Sequence, residues 1–341
     1  MPTSSPLRAE RNSHVDRDLL PDTPPPFPYG WFAVAFSSEL TPGKIVKRRF
    51  MDREIVLYRT DSGDAAAVSA YCPHLGAHFA YGGSVEGEEL RCPFHGFKFS
   101  TSGRCTSTPY GPPPPSARLR VFPLREVCGV VMAWHGPTDE VTWEIEAPDE
   151  SPEWLRWRTK KMRFRSHPQE VTENSVDIGH LAVLHRFDEV RTVDKLTADG
   201  PRLRARYSFR RPFPGTRGIR TEISIRVDGL GFSLVELSLD LGWTLRQLVL
   251  TTPTGEREVD VHVGTTVRSR GRGRLGRALL WPVEALLSRA VLRGVVLELR
   301  RDQPIWDNKK YVPRPALTAG DGPIGAYRKW TRQFYPEGAD K

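Results

Sequence analysis

Two short stretches carry the residues best able to do chemistry together: Cys72-Pro73-His74-Leu75-Gly76 and Cys92-Pro93-Phe94-His95-Gly96. Their pattern is C-x-H-x17-C-x2-H, so each stretch brings one thiol and one imidazole. This donor set suits a [2Fe–2S] cluster in which two cysteines hold one iron and two histidines the other. Thiolates favour the iron that stays ferric, and neutral imidazoles raise the potential above that of an all-cysteine cluster. Two Cys and two His also bind structural zinc, but zinc sites usually pair like with like at close spacing, whereas here each stretch mixes the two. Gly76 and Gly96 after the histidines, with Pro73 and Pro93 after the cysteines, fit tight loops whose backbone N–H groups approach bridging sulfides.

A second constellation, Glu173-Asn174-Ser175-Val176-Asp177-Ile178-Gly179-His180-Leu181-Ala182-Val183-Leu184-His185, follows Pro168, a good first-turn residue. Asp177 and His180 are spaced i,i+3 and would share a helix face. His180 and His185, five apart, diverge by about 140° on a regular helix. Binding one ion with both requires the helix to unwind or bulge between them, with Gly179 assisting. Two His and one carboxylate make the facial triad of non-haem Fe(II) sites, which leaves positions open for O2. The carboxylate must come from elsewhere, and Asp302 and Asp307 are the candidates. Asp302 ends an apolar helix and can face inward, while Asp307 lies beyond Pro304 among polar residues, so placement favours Asp302. The plainer role for Asp177 is service to a helix dipole.

These residues need elements to hold them. From Trp31, short β patterns dominate (WFAVAFS, KIVKRRF, EIVLYR, AAAVSAY), and RLRVFPL and VCGVVMAWH follow the second cluster loop. We read 1–30 as a polar, Pro-rich tail, 31–150 as a small β domain bearing the cluster, and 151–341 as a second domain bearing mononuclear iron. The second domain opens with a helix signal and continues as five strand-like runs: RLRARYSFRRPF, GIRTEISIRVDG, FSLVELSLDLG, TLRQLVLTTP and REVDVHVGTTVR. Residues from about Leu275 to Trp306 are apolar at helical spacing, with Leu279, Leu280, Val283, Leu286, Leu287, Val291, Val295 and Leu299 as the face. Pro282 should kink this helix or mark its first turn. The expected class is α+β, with a sheet around a long helix enclosing a cavity for a bulky apolar ligand.

Composition bounds the rest. The 341 residues suffice for two domains, and no apolar run approaches the roughly 18 residues of a membrane-spanning helix. The first 30 residues hold no apolar core of a signal peptide, and only four Cys are present, which points to the reducing cytoplasm. Cys105 and Cys128 read as plain buried thiols. The net charge of +9 comes without a nucleic-acid recognition module. The run from Val267 to Arg277 reads as a mobile basic loop, or as part of a surface that steers an acidic electron donor.

Both motifs together resemble the Rieske non-haem iron oxygenases, specifically their terminal oxygenase component, whose pattern E/N-x-x-D-x-x-H-x4-H is met by Asn174, Asp177, His180 and His185. Pro28-Tyr29-Gly30-Trp31-Phe32 and the stretch Arg301-Asp302-Gln303-Pro304-Ile305-Trp306-Asp307-Asn308-Lys309-Lys310-Tyr311 resemble 3-ketosteroid 9α-hydroxylase oxygenases and cholesterol 7-desaturases. The resemblance runs from about residue 28 to 336. It implies a Rieske β domain followed by a helix-grip catalytic domain, with the cluster on Cys72, His74, Cys92 and His95. It implies Fe(II) on His180, His185 and Asp302, in agreement with the placement of Asp302. It also implies that Asp177 bridges His95 of one protomer and His180 of its neighbour in a head-to-tail homotrimer. Electrons would come from an NAD(P)H-dependent reductase, directly or through a ferredoxin, and a sterol or steroid would be hydroxylated or desaturated with O2. Same-class oxygenation of an aromatic or natural-product intermediate is the alternative, and a Rieske electron-transfer protein a further one. Two departures stand out. The extra cysteine pair of respiratory Rieske proteins is replaced by Ala77 and Phe94. The membrane helix of animal sterol desaturases has no counterpart, which implies a soluble, bacterial-type member.

Overall fold

Short buried runs punctuated by Gly, Asp and Pro make the first third of the chain a set of small antiparallel sheets. The computed structural model describes residues 25–337, apart from 213, 214, 216, 241 and 270–272 and the side chains of 273–275 and 277. Most of the Pro-rich tail and the centre of the basic run therefore lie outside the described residues. Strands β1 (Gly30–Phe36), β2 (Ile45–Phe50), β3 (Arg53–Arg59), β4 (Ala65–Ser69), β5 (Ser84–Glu86), β6 (Glu89–Arg91), β7 (Lys98–Phe99), β8 (Cys105–Ser107), β9 (Leu124–Val127) and β10 (Val130–His135) follow in order. They form the sheets β1-β10-β9, β2-β3-β4 and β5-β6-β7-β8. The turn from β9 to β10 places both Cys128 and Gly129 at positive φ, 55° and 70°, the backbone of a two-residue hairpin with matching twist. Cys128 is thus a buried turn residue, and Cys105 is buried beside Phe97 and Phe99.

The second part is one seven-stranded antiparallel sheet in the order β11-β17-β16-β15-β14-β13-β12. Its strands are β11 (Arg158–Phe164), β12 (Asp188–Asp199), β13 (Arg202–Arg211), β14 (Ile219–Asp228), β15 (Phe232–Leu239), β16 (Thr244–Gly255) and β17 (Glu258–Val267). The five strand-like runs of the sequence correspond to β13–β17. The two edges, β11 and β12, were not anticipated. They read RTKKMRF and DEVRTVDKLTAD and are largely solvent-facing, so neither shows apolar alternation; charge of this kind blunts an edge against further pairing.

Helices α1 (Pro168–Glu173) and α2 (Gly179–Val183) lie between β11 and β12, while α3 (Gly273–Asn308) and α4 (Ile324–Thr331) follow the sheet. Helix α3 covers the expected run from about Leu275 to Trp306 and extends it slightly at both ends, so that Pro282 lies in its interior instead of its first turn and Asp307 is helical. Its apolar face is not uniformly buried: Leu299 is 7 % exposed, but Leu279, Val283 and Leu286 are 71, 59 and 66 % exposed. Its large buried apolar side chains lie in the C-terminal half, where Leu299 and Trp306 meet Phe164, Val259, Val261 and Val263, while in the N-terminal half Glu284, Ala285 and Ser288 face inward.

The two parts share a core. Trp31, Met132 and Trp134 pack against Phe232, Leu234, Leu248 and Leu250. Thr252 Oγ1 donates to the Ala33 carbonyl at 2.6 Å. At this seam a Cβ on Gly231 would stand 2.1 Å from the Trp31 carbonyl oxygen, so no larger residue fits there. Each large apolar side chain buried here contributes about 1.5–3 kcal/mol.

Candidate active site

The two cysteine-histidine stretches fold as the same loop twice. In the first, Cys72 N donates to Ala77 O (2.8 Å) and Gly76 N to Cys72 O (2.9 Å); in the second, Cys92 N donates to Phe97 O (2.8 Å) and Gly96 N to Cys92 O (3.2 Å). Gly76 and Gly96 have φ of +76° and +69°, the left-handed region each loop needs to close. Cys72 and Cys92 are 3 and 2 % exposed, over Phe79, Leu90, Phe97 and Phe99. Burial pushes the Cys72 thiol up to about 11, and the neighbouring Cys92 sulfur adds to the rise, so positive charge must be supplied to hold Cys72 as a thiolate. His74 and His95 lie toward the surface with ring centroids 4.7 Å apart, and His74 stacks on Phe97 at 4.4 Å. Among the described residues the four donors do not gather within 4.8 Å of one another, as a single tetrahedral ion would require. Buried thiols on one side and outer imidazoles on the other fit a two-iron cluster better than zinc.

The second constellation is held by α1, which is buried along its length. His167 caps it by accepting from Gln169 N through Nδ1 at 3.2 Å, and Pro168 takes the first helical position. Helix α4 fixes it from outside, through Tyr327 Oη to Gln169 O at 2.8 Å and Arg328 to Glu173 at 2.6 Å. The chain then breaks before restarting as α2, so Asp177 precedes the helix instead of sharing its face with His180. Asp177 Oδ1 accepts from His180 N at 3.2 Å, and its backbone carbonyl lies 2.5 Å from His180 Nδ1. Burial favours a neutral Asp177, but the hydrogen bonds from His180 and Gly179 outweigh it and hold the carboxyl below its usual range. The helix ends at Val183, before His185, and Arg186 adopts a positive φ of 59°. This early ending brings the two imidazoles together, with centroids 5.1 Å apart, where a continuous helix would have separated them.

His180, His185 and Asp302 offer ligand atoms that all lie within 4.8 Å of one another, the only such group among the described residues. Asp302 is 5 % exposed, and its Oδ1 lies 3.3 Å from His185 Nε2 without a hydrogen-bond partner. An orphaned buried carboxylate oxygen facing two imidazoles fits a divalent cation. Asp307 is placed otherwise: Oδ1 accepts from Arg165 N at 2.7 Å and Oδ2 from Gln303 at 3.1 Å.

Glu298, which the sequence reading missed, completes this arrangement. It lies one turn before Asp302 on the same face of α3, and its Oε2 is 2.7 Å from His185 Nδ1. Arg211 (2.7 Å) and Arg301 (3.0 Å) donate to the same carboxylate. Burial opposes charge on His185, but Asp302 and Glu298 outweigh it and raise the imidazole to about 9, so the site favours positive charge. A carboxylate that can only accept puts the His185 hydrogen on Nδ1 and leaves Nε2 for a metal.

These groups form one end of a cavity of about 480 Å³. Its walls are mostly apolar, with Phe209, Ile223, Leu237 and Val249 from the sheet and Leu287 and Val291 from α3. Gly294 widens it, since a Cβ there would meet nothing within 4 Å. The volume falls within the roughly 300–1,000 Å³ of small-molecule sites. Among the described residues no helix is long and apolar enough to cross a membrane.

Comparison with known proteins agrees with both halves. A Rieske [2Fe–2S] domain model matches residues 30–123, and a model of the 3-ketosteroid 9α-hydroxylase C-terminal domain matches 133–335. A cholesterol 7-desaturase of Xenopus laevis is 30 % identical over 337 residues, covering 94 % of this chain and 74 % of the relative. A probable oxygenase component of 3-ketosteroid-9-alpha-monooxygenase from Rhodococcus rhodochrous is 26 % identical, covering 93 % and 82 %. Among solved structures, dicamba monooxygenase bound to dicamba has a TM-score of 0.66 at 21 % identity, covering 90 % of this chain and 96 % of that one. NdmA of Pseudomonas putida CBB5 with caffeine has a TM-score of 0.71 at 17 % identity, covering 89 % of each. At those identities the structures speak for the fold alone.

Proposed function

The chain belongs to the Rieske oxygenases of the 3-ketosteroid 9α-hydroxylase family, and from that premise we propose that it is the terminal oxygenase that hydroxylates or desaturates a sterol or steroid. It is an oxidoreductase with a [2Fe–2S] cluster and a mononuclear iron as its cofactors. The cluster supplies electrons one at a time, and the mononuclear iron supplies open positions at which O2 is activated. Cys72 and Cys92 hold one cluster iron, and His74 and His95 hold the other. His180, His185 and Asp302 hold the mononuclear iron, with Glu298 fixing the His185 ring from behind.

The observation that carries the proposal is the apolar cavity ending on this triad. Its walls bind a fused hydrocarbon skeleton by burial alone and exclude water from the reacting carbon. Hydroxylation consumes one O2, two electrons and two protons, placing one oxygen on the substrate and releasing one water. Desaturation takes two hydrogens from the substrate as well and releases two waters. An electron-transfer protein would have no use for the triad or for a cavity in front of it.

Asp177, whose carboxylate bonds the backbone of His180, is suited to bridge to His95 of a neighbouring protomer in a head-to-tail trimer. Electrons reach the cluster from a reductase or ferredoxin, here an NAD(P)H-dependent one, acting directly or through a ferredoxin. The test is a single turnover of anaerobically reduced holoenzyme exposed to O2 with sterols, 3-ketosteroids and aromatic acids, read by mass spectrometry. A steroid that gains one oxygen or loses two hydrogens is expected. Product from the aromatic acids alone, with iron verified at both sites, would overturn the steroid reading.

A further inference from the structure

The first described turns of α3 bury Glu284, Ala285 and Ser288 and expose apolar side chains elsewhere: Leu279 (71 %), Leu280 (37 %), Trp281 (61 %), Val283 (59 %) and Leu286 (66 %). Soluble surfaces rarely gather so many large apolar groups within two turns, and such a patch marks a site of interaction. The patch runs directly into the cavity wall. Leu287, the residue after Leu286, lines the cavity, and so does the exposed Ala290. Charge on this helix is one-sided. Among its described residues every exposed charged side chain is an arginine: Arg289 and Arg293 lie next to the patch, while Arg300 and Arg301 are about four turns away and Arg301 is held by Glu298. Glu284 is 1 % exposed and accepts from Ser269, while Glu298 and Asp302 face the iron site. Arg268 is paired with Glu153, and the sequence after it adds Arg270, Arg272, Arg274 and Arg277, with no acidic residue before Glu284.

We propose that this end of α3 is a docking surface for an anionic lipid bilayer, from which apolar substrate enters the cavity. Leucine, valine and tryptophan at one helix end insert among acyl chains and headgroups, and arginines beside them pair with lipid phosphates. A second copy of the chain seated here would close the apolar approach to the cavity, and in a head-to-tail ring it would meet the patch with a different surface, so sedimentation is the arm of the test that identifies it. Docking rests on the steroid reading only for its usefulness, because binding to lipid needs no substrate.

Full-length holoenzyme is floated with vesicles of phosphatidylcholine alone or with three parts in ten phosphatidylglycerol, at low and high salt. Binding is expected to the anionic vesicles and to weaken with salt. The triple variant Leu279→Glu/Val283→Glu/Leu286→Glu and the single variant Trp281→Glu should reduce partition about tenfold and severalfold, with cluster absorbance unchanged. Arg289→Gln/Arg293→Gln should lower the preference for anionic over neutral vesicles. Absence of wild-type binding to the anionic vesicles, or equal binding by the triple variant, overturns the proposal. So does a smaller oligomer for the triple variant in sedimentation, which would assign the patch to a second copy. A steroid turned over without vesicle binding would leave the function standing and remove the docking surface; binding without turnover would do the reverse.

Discussion

Glu298→Gln separates a carboxylate that positions the iron ligand from one that merely fills the cavity wall. Glu298 stands 2.7 Å from His185 Nδ1 and is held in turn by Arg211 and Arg301. Glutamine keeps the shape but loses the charge. Its amide can still accept from Nδ1, yet the bond is no longer charge-assisted, and two guanidinium groups lose their counter-ion beside a site that must take up a dication. Loss of an outer partner to a metal-bound histidine costs about 10–100-fold in metal affinity, or about 1.4–2.7 kcal/mol. The Gln variant should lie near the lower end of this range. Glu298→Ala, which frees the ring to rotate, should lie near the upper end. The assay is anaerobic Fe(II) titration of protein lacking mononuclear iron against a competing chromophoric chelator. Cluster absorbance in the same molecule reports whether the fold is intact, since the cluster loops lie on other elements. Affinities within threefold of wild type for both variants, with the cluster intact, would refute the positioning role.

Asp302→Ala should empty the mononuclear site and leave the cluster, as read by iron content per chain. Asp307→Ala should keep both and cost only about 1 kcal/mol for the lost bond to Arg165 N; iron loss there instead would overturn the ligand assignment. Asp177→Ala should leave both metal sites filled and the cluster reducible while turnover disappears, and wild-type turnover would remove its relay role. The buried His167 and His262 are depressed by burial from 6.5 to about 4 and about 3. Their folded values lie below the unfolded one, so their stability is present above about pH 6.5 and is lost on acidification. Linkage puts the loss at about 2 kcal/mol for each by pH 5. Denaturant unfolding at pH 7 and pH 5 measures it, and equal stability at the two pH values would contradict the burial of both rings.

What the sequence disclosed depended on how local each feature was. The candidate cluster loops were legible because each Cys, His, Gly and Pro of the motif lies within a five-residue stretch, and the same backbone pattern occurs twice. The candidate iron triad was legible in part. The conflict between five-residue spacing and a regular helix required a break, and the structure places it by ending α2 at Val183. Asp302 needed an argument about which side of α3 faces inward, and Glu298 escaped although its signal was present: two carboxylates one turn apart on an otherwise apolar face from Val291 to Leu299. Charge there has no reason to persist unless something polar lies opposite. The edge strands β11 and β12 escaped for the converse reason, since a charged strand carries no alternation to read. Periodicity states which residues share a face and is silent on what covers it. Leu279, Val283 and Leu286 have the same spacing as the buried Leu299, yet they project into solvent. The difference along α3 lies in what stands opposite: the sheet covers Leu299, whereas among the described residues Leu279, Val283 and Leu286 stay largely uncovered. A cavity that must admit an apolar molecule from outside requires some apolar surface at its approach to stay uncovered in the free protein.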